Sequence, residues 1–215
     1  MTRPLSRTAP QRARETQGST KDRILQAAEE VFAERGFNGA STREIAARAG
    51  VNISSLHYHW ESKETLYLAV FRDVYERLER RLQEAIRPYI AERRSTEDVI
   101  AASIDGLFAF FTERPTLPRL LLRRVIDEDT VDVGIERDVL APTWSGFLRL
   151  IDPQHDPSRD LDARLFVLTV HAVQLAYMLD SKAYRSFLGG SVHEEPFKSR
   201  VREHLIKLMR HMLPQ

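Results

Sequence analysis

The stretch Ser41–Lys63, STREIAARAGVNISSLHYHWESK, decides how the rest of this chain is read. Ser41 with Glu44 three residues on has the spacing of a capping box, in which each side chain satisfies an orphan backbone donor at a helix start. Ile45, Ala46 and Ala49 give that helix a small apolar face, and Gly50 ends it where a left-handed residue costs little. Val51 plugs the turn. Asn52 is a favoured cap for a second short helix, Ile53 to His59. Two short helices joined by a tight glycine turn make a helix-turn-helix, whose second member enters the DNA major groove. Leu56 and Trp60 are expected in the core beneath it.

Upstream, Ser19 or Thr20 opens a helix to Arg35 with Ile24, Leu25, Ala28, Val31 and Phe32 as its apolar stripe. Gly36 stops it, and Phe37 reaches back toward the core of Ile45 and Leu56, so three helices cluster. Residues 1–18 carry four arginines, two prolines and almost nothing apolar, the composition of a disordered basic arm. Such an arm either reaches DNA or is a solvated tail, the commoner case.

Downstream, Ser62 caps a long helix to about Arg87, ahead of Pro88, with Leu66, Val70, Val74, Leu78, Leu82 and Ala85 or Ile86 in one stripe. Some 25 residues at ~1.5 Å each make a rod of about 38 Å. It joins a helix-turn-helix domain over 19–65 to a larger domain over 66–215, so the functional boundary lies inside a helix.

The larger domain reads as helical throughout, and the fold class is all-α. Ser95 with Asp98 opens a helix that Pro115 ends. Thr116–Ile126 follows, then Val133–Ile151 with an interruption at Pro142, then Leu161 to about Leu188, stopped by Gly189-Gly190, then Phe197–Met212. The helix over 161–188 is apolar nearly all round and must be buried on every side. One side packs inward and the other against a second copy, or the helix is the centre of a monomer. The homodimer is favoured, because helix-turn-helix proteins use two half-sites. Its seam would hold Phe166, Val170 and Val173 beside Val201, Leu205, Leu208 and Met212, as a four-helix bundle.

The composition excludes several classes. There are no cysteines, and the net charge is +1, with nine Lys/Arg against six Asp/Glu in residues 1–60. The longest uncharged run, Leu165–Leu179, is shorter than the ~20 residues a spanning helix needs. No signal-peptide core opens the chain, so it is expected to be soluble and cytoplasmic, without a membrane partner. No Ser/His/Asp spacing, phosphate loop or metal-ligand pattern marks an enzyme. His57 and His59 point in different directions on a helix, so neither a metal nor a cofactor is expected.

A small-molecule pocket has candidates in Phe108, Phe111, Leu121, Trp144, His171, Gln174, Tyr177 and Met178. Apolar walls with a few polar groups suit a hydrophobic ligand with one or two hydrogen-bonding atoms. His171 and Gln174 fit such a pocket and the dimer seam equally well.

The segments TKDRILQAAEEVFAERGF, STREIAARAGV and LHYHWESKETLY together resemble the amino-terminal domain of the TetR (tetracycline-repressor-like) transcriptional regulators, over about Thr20 to Val70. The resemblance implies an all-helical homodimer that binds a palindromic operator as double-stranded DNA and holds a small-molecule effector in its larger domain. A ligand-responsive repressor is the reading it favours over a regulator without an effector or an enzyme using the pocket. It implies that Thr42 and Arg43 meet phosphates or base edges, and that Lys63 binds phosphate. Ile53, Ser54 and Ser55 would form the exposed start of the recognition helix, followed by His57, Tyr58 and His59. The chain departs from the family's pattern at His57, where tyrosine is usual, and at Ile53, which offers only apolar contact such as a thymine methyl. Arg43 is then the foremost direct reader.

Overall fold

Ser19 caps the first helix, α1 (Thr20–Gly39), in a reciprocal box: its hydroxyl accepts the Asp22 amide at 3.1 Å, and the Asp22 carboxylate accepts the Ser19 amide at 2.9 Å. The structure is a computed structural model that describes residues 19–126, 134–151 and 161–212. The expected arm, residues 1–18, lies outside them, as does the side chain of Met212.

The regular helix of α1 breaks at Gly36, whose φ of 68° a side chain would resist, and one further turn brings Phe37 over the core. Ser41 caps α2 (Thr42–Arg48) by accepting the Glu44 amide at 3.1 Å. The reciprocal half expected there gives way: the Glu44 carboxylate turns to Arg35 at 3.5 Å and Arg48 at 3.8 Å. A cation is the stronger partner for an exposed carboxylate than a backbone amide.

After the turn, Asn52 caps α3 (Ile53–His59), and Ser62 caps α4 (Lys63–Ala91) in a second reciprocal box with Thr65. The rod is longer than expected. It has 29 residues, roughly 44 Å at ~1.5 Å per residue, and runs one turn past Pro88. A proline in a last turn forfeits a single ladder bond, and the amide of Glu92 still reaches the Pro88 carbonyl at 3.0 Å. Beside the expected aliphatic stripe, Tyr67, Phe71 and Tyr75 form a second buried row. Tyr67 packs edge-on against Phe32 at 4.8 Å and Phe37 at 5.1 Å between ring centres, which joins α1 to the start of the rod.

The larger part is α5 (Thr96–Glu113), α6 (Leu117–Ile126), α7 (Ala141–Ile151), α8 (Leu161–Met178), α9 (Lys182–Leu188) and α10 (Phe197–Met212). Among the described residues all regular structure is helical, and no helix is long and apolar enough to cross a membrane. Pro142 stands in the first turn of α7, directly after a widened turn over Glu136–Leu140, so the regular helix is interrupted beside it. The widened turn makes room for a ring that would clash with the preceding carbonyls. One expectation needs correction.

The span 161–188 is two helices. Asp180 has φ 45°, and Ser181 caps α9 by accepting the Tyr184 amide at 3.2 Å. The Asp180 carboxylate holds the break open by accepting the Ser191 hydroxyl at 2.7 Å and the Val192 amide at 3.2 Å.

One continuous hydrophobic core runs from Ile24 in α1 to Leu205 in α10. Packing therefore continues across the expected 65/66 boundary. Glu29 of α1, 4% exposed, accepts hydrogen bonds from Arg77 of α4 at 2.6 Å and Arg114, just after α5, at 3.2 Å. From α6, Arg123 donates to the Glu34 carbonyl of α1 at 3.1 Å. The helix-turn-helix is thus fastened to the larger part at several points besides the rod.

Candidate nucleic-acid interface and apolar cavity

The turn between α2 and α3 owes its shape to backbone and not to crowding. Gly50 has φ 65°, and a Cβ there would meet nothing nearer than Arg23 at 3.9 Å. Asn52 fixes the start of α3 by accepting the Ser55 amide at 2.7 Å. Leu56 and Trp60 are buried beneath α3, as expected. With that underside anchored, the other face is held outward: Ser54, His57, Tyr58 and His59 are exposed, Tyr58 to 85%. The Tyr58 ring lies edge-on to that of His59, 5.2 Å between ring centres.

Arg43 is exposed, while Thr42 and Ser55 are half-buried. Ile53 is half-buried and packs against the core, so its side chain is divided between packing and the outward face. Thr20, read from the sequence only as a possible helix start, shares one surface hollow with Asn52, Ser54, Ser55, Tyr58 and His59. Its only signal is its place as the first residue of α1, beside a cap.

Lys63, the expected phosphate contact, is half-buried. Its ammonium donates to the carbonyls of Phe37 at 2.9 Å and Ala40 at 3.2 Å. Arg48 is likewise engaged, donating with both nitrogens to Glu34 at 2.9 Å each. That pairing holds the Glu34 carboxyl below its ordinary range.

The second site is an apolar cavity of about 740 Å³, its mouth included. Leu82 and Ile86 of α4 line it, with Ile104, Leu107 and Phe111 of α5, and Phe166, Val167 and Val170 of α8. Trp144 of α7 and His171 and Gln174 of α8 complete it. Of the eight pocket candidates, Phe111, Trp144, His171 and Gln174 are brought together here. Phe108, Leu121 and Met178 are core instead, and Tyr177 faces a separate hollow with Tyr184, Phe187 and Val192.

His171 and Gln174 are on the cavity side. Burial pulls the His171 pKa down from 6.5 to about 4, so the ring is neutral near pH 7. The rings of His171 and Trp144 lie 5.6 Å apart.

Within one protomer the expected seam residues are divided. Phe166 and Val170 line the cavity, Val201 and Leu205 are buried in the protomer's own core, and Val173 and Leu208 pack against it. The apolar residues left outward on α8 are Leu165 and Leu168, each 48% exposed, and Ala172. Phe166, Val170 and Gln174 follow at steps of four, which puts two cavity walls on the same face as a polar residue.

Among the described residues, no group of three or more His, Asp or Glu side chains is placed to hold a metal.

Residues 24–70 match the model of the bacterial regulatory proteins of the tetR family. The chain is 27% identical over 221 residues to the HTH-type transcriptional regulator RutR of Escherichia coli (strain K12), covering 97% of each chain. It is 28% identical over 123 residues to YttP of Bacillus subtilis (strain 168), also named as an HTH-type regulator, covering 57% of this chain and 56% of that one. Among solved structures, the fatty acid degradation regulator FadR from Bacillus halodurans superposes with a TM-score of 0.64 at 16% identity, over 90% of this chain and 99% of that one. At that identity the likeness is one of fold. The relatives are named as regulators of transcription and not as enzymes.

Proposed function

Because this chain is a DNA-binding transcriptional regulator of the TetR family, we propose that it works as a dimeric repressor, released from a palindromic operator by a small, largely apolar molecule in the cavity among α4, α5, α7 and α8. One observation carries the reading. The rod α4 begins at Ser62-Lys63 under the recognition helix α3 and, five turns on, supplies Leu82 and Ile86 to the cavity wall. A ligand that moves that wall moves the base of the helix-turn-helix.

The outward apolar stripe of Leu165, Leu168 and Ala172 supports the dimer, because it lies at helical spacing on a helix otherwise packed inward. Two recognition helices reading one palindrome must sit one helical turn, ~34 Å, apart. A ligand that favours a dimer with another separation releases the DNA, provided that it binds that conformation more tightly than the operator-bound one.

The test is a shift assay of the purified protein at low salt on DNA from its own upstream region. A palindrome-dependent shift, reversed by an apolar small molecule, is the expected result. Absence of any shift refutes the repressor reading, and a shift that no ligand reverses removes the effector from it.

A further inference from the structure

The cavity is apolar except where three neutral groups gather. Trp144 and His171 are ring neighbours, and Gln174 follows His171 by three residues on the same helix face. Ser103 also lines the wall, but its hydroxyl is engaged with the Val99 carbonyl at 2.8 Å. Gln174 is 2% exposed, yet neither its amide oxygen nor its amide nitrogen has a hydrogen-bond partner among the described residues, and the indole nitrogen of Trp144 also has none. Buried polar groups are paired in the great majority of cases, and each exception calls for an explanation, because an unpaired amide in an apolar site is costly. None of the residues lining the cavity is Lys, Arg, Asp or Glu.

These are two donors and an acceptor in the wall of a space with no charge to answer a charge. We infer that the cavity takes a mostly apolar molecule bearing one uncharged group that both accepts and donates hydrogen bonds, a primary amide for instance, and that it discriminates against the matching carboxylate. The inference rests on the cavity being the effector site. An amide ligand would present its carbonyl to the Gln174 nitrogen or to Trp144, and its N–H to the Gln174 oxygen. A carboxylate would have no donor for that oxygen and would be buried without a counter-charge, since His171 resists protonation.

The experiment uses the full chain and three probes: octanamide, octanoate and the neutral apolar dye N-phenyl-1-naphthylamine. Octanamide is expected to bind at least about ten-fold more tightly than octanoate at neutral pH, and Gln174→Leu to bring that ratio close to one. Dye binding with octanamide no better than octanoate overturns the inference and leaves the effector reading standing. Failure of all three probes to bind overturns both. A ligand-free measurement closes the remaining gap: Gln174→Leu should fold with an unchanged or higher Tm, since it removes an amide that lacks a partner. A Tm lower by several degrees, or a variant that does not fold, makes Gln174 a structural residue and overturns the inference.

Discussion

The ammonium of Lys63 donates to the carbonyl oxygen of Phe37 at 2.9 Å and lies 4.2 Å from the centre of the same residue's ring. The first residue of the rod thereby fastens the end of α1, beyond the break at Gly36, where the Phe37 carbonyl also accepts the Ala40 amide at 3.3 Å. A cation is suited to both surfaces, the carbonyl by charge-assisted hydrogen bonding and the ring by its negative face.

Lys63→Met is therefore expected to lower unfolding free energy by about 1.5–3 kcal/mol, the range for hydrogen bonds to a charged group. Urea denaturation measures it. The salt dependence of DNA binding should keep its slope. A slope reduced by about one unit, with stability intact, would return Lys63 to the phosphate contacts.

Arg43 is exposed at the start of α2, and no ion pair engages it among the described residues. Arg43→Ala should weaken operator binding by about 1–3 kcal/mol and binding to random DNA by less. Titrations of both DNAs at one salt concentration decide the matter. Equal losses would make Arg43 a phosphate contact that carries no sequence information.

The depressed pKa of His171 makes a prediction about acid. In the unfolded chain the imidazole titrates near 6.5, while in the fold burial holds it near 4. Below pH 6.5 the unfolded state takes up a proton that the folded state refuses, so stability falls as pH falls toward 4 and levels below it. At about 1.4 kcal/mol per unit the loss is at most about 3.5 kcal/mol. The difference between the wild type and His171→Gln, followed by urea unfolding from pH 7 to pH 4, should show that slope in the wild type alone.

Gly106 marks the close approach of α5 to α4. A Cβ there would lie 2.9 Å from the Cβ of Ala85 and 3.5 Å from Leu82. Gly106→Ala gains up to about 1 kcal/mol of helix propensity but loses about 1–3 kcal/mol to overpacking, since a Cβ cannot swing aside. The sum should be a lower Tm, read by thermal unfolding. A higher Tm would mean that the two helices part at little cost.

Much of this molecule was legible from local rules. Ser19, Ser41, Asn52, Ser62 and Ser95 each accept the amide three residues on, and each begins the helix the sequence places there. The core beneath α3 was equally readable, because Leu56 and Trp60 sit at spacing that can only point inward once α3 exists. The departures were of another kind. Glu44 left its capping box for Arg35 and Arg48, a choice between neighbours made in space. The bend at Asp180 depends on Ser191 and Val192, eleven and twelve residues away.

The sequence by itself determined the helices, their caps and the helix-turn-helix, because capping and turn geometry act within a few residues. The tertiary structure alone decided which way α8 faces. A helix apolar nearly all round carries no periodic signal of direction, so only its packing against α4, α5 and α7 turned Phe166, Val170 and Gln174 inward and left Leu165 and Leu168 exposed. Packing likewise set the ammonium of Lys63 on the carbonyls of Phe37 and Ala40, because a helix end more than twenty residues earlier in the chain lies beside the start of the rod.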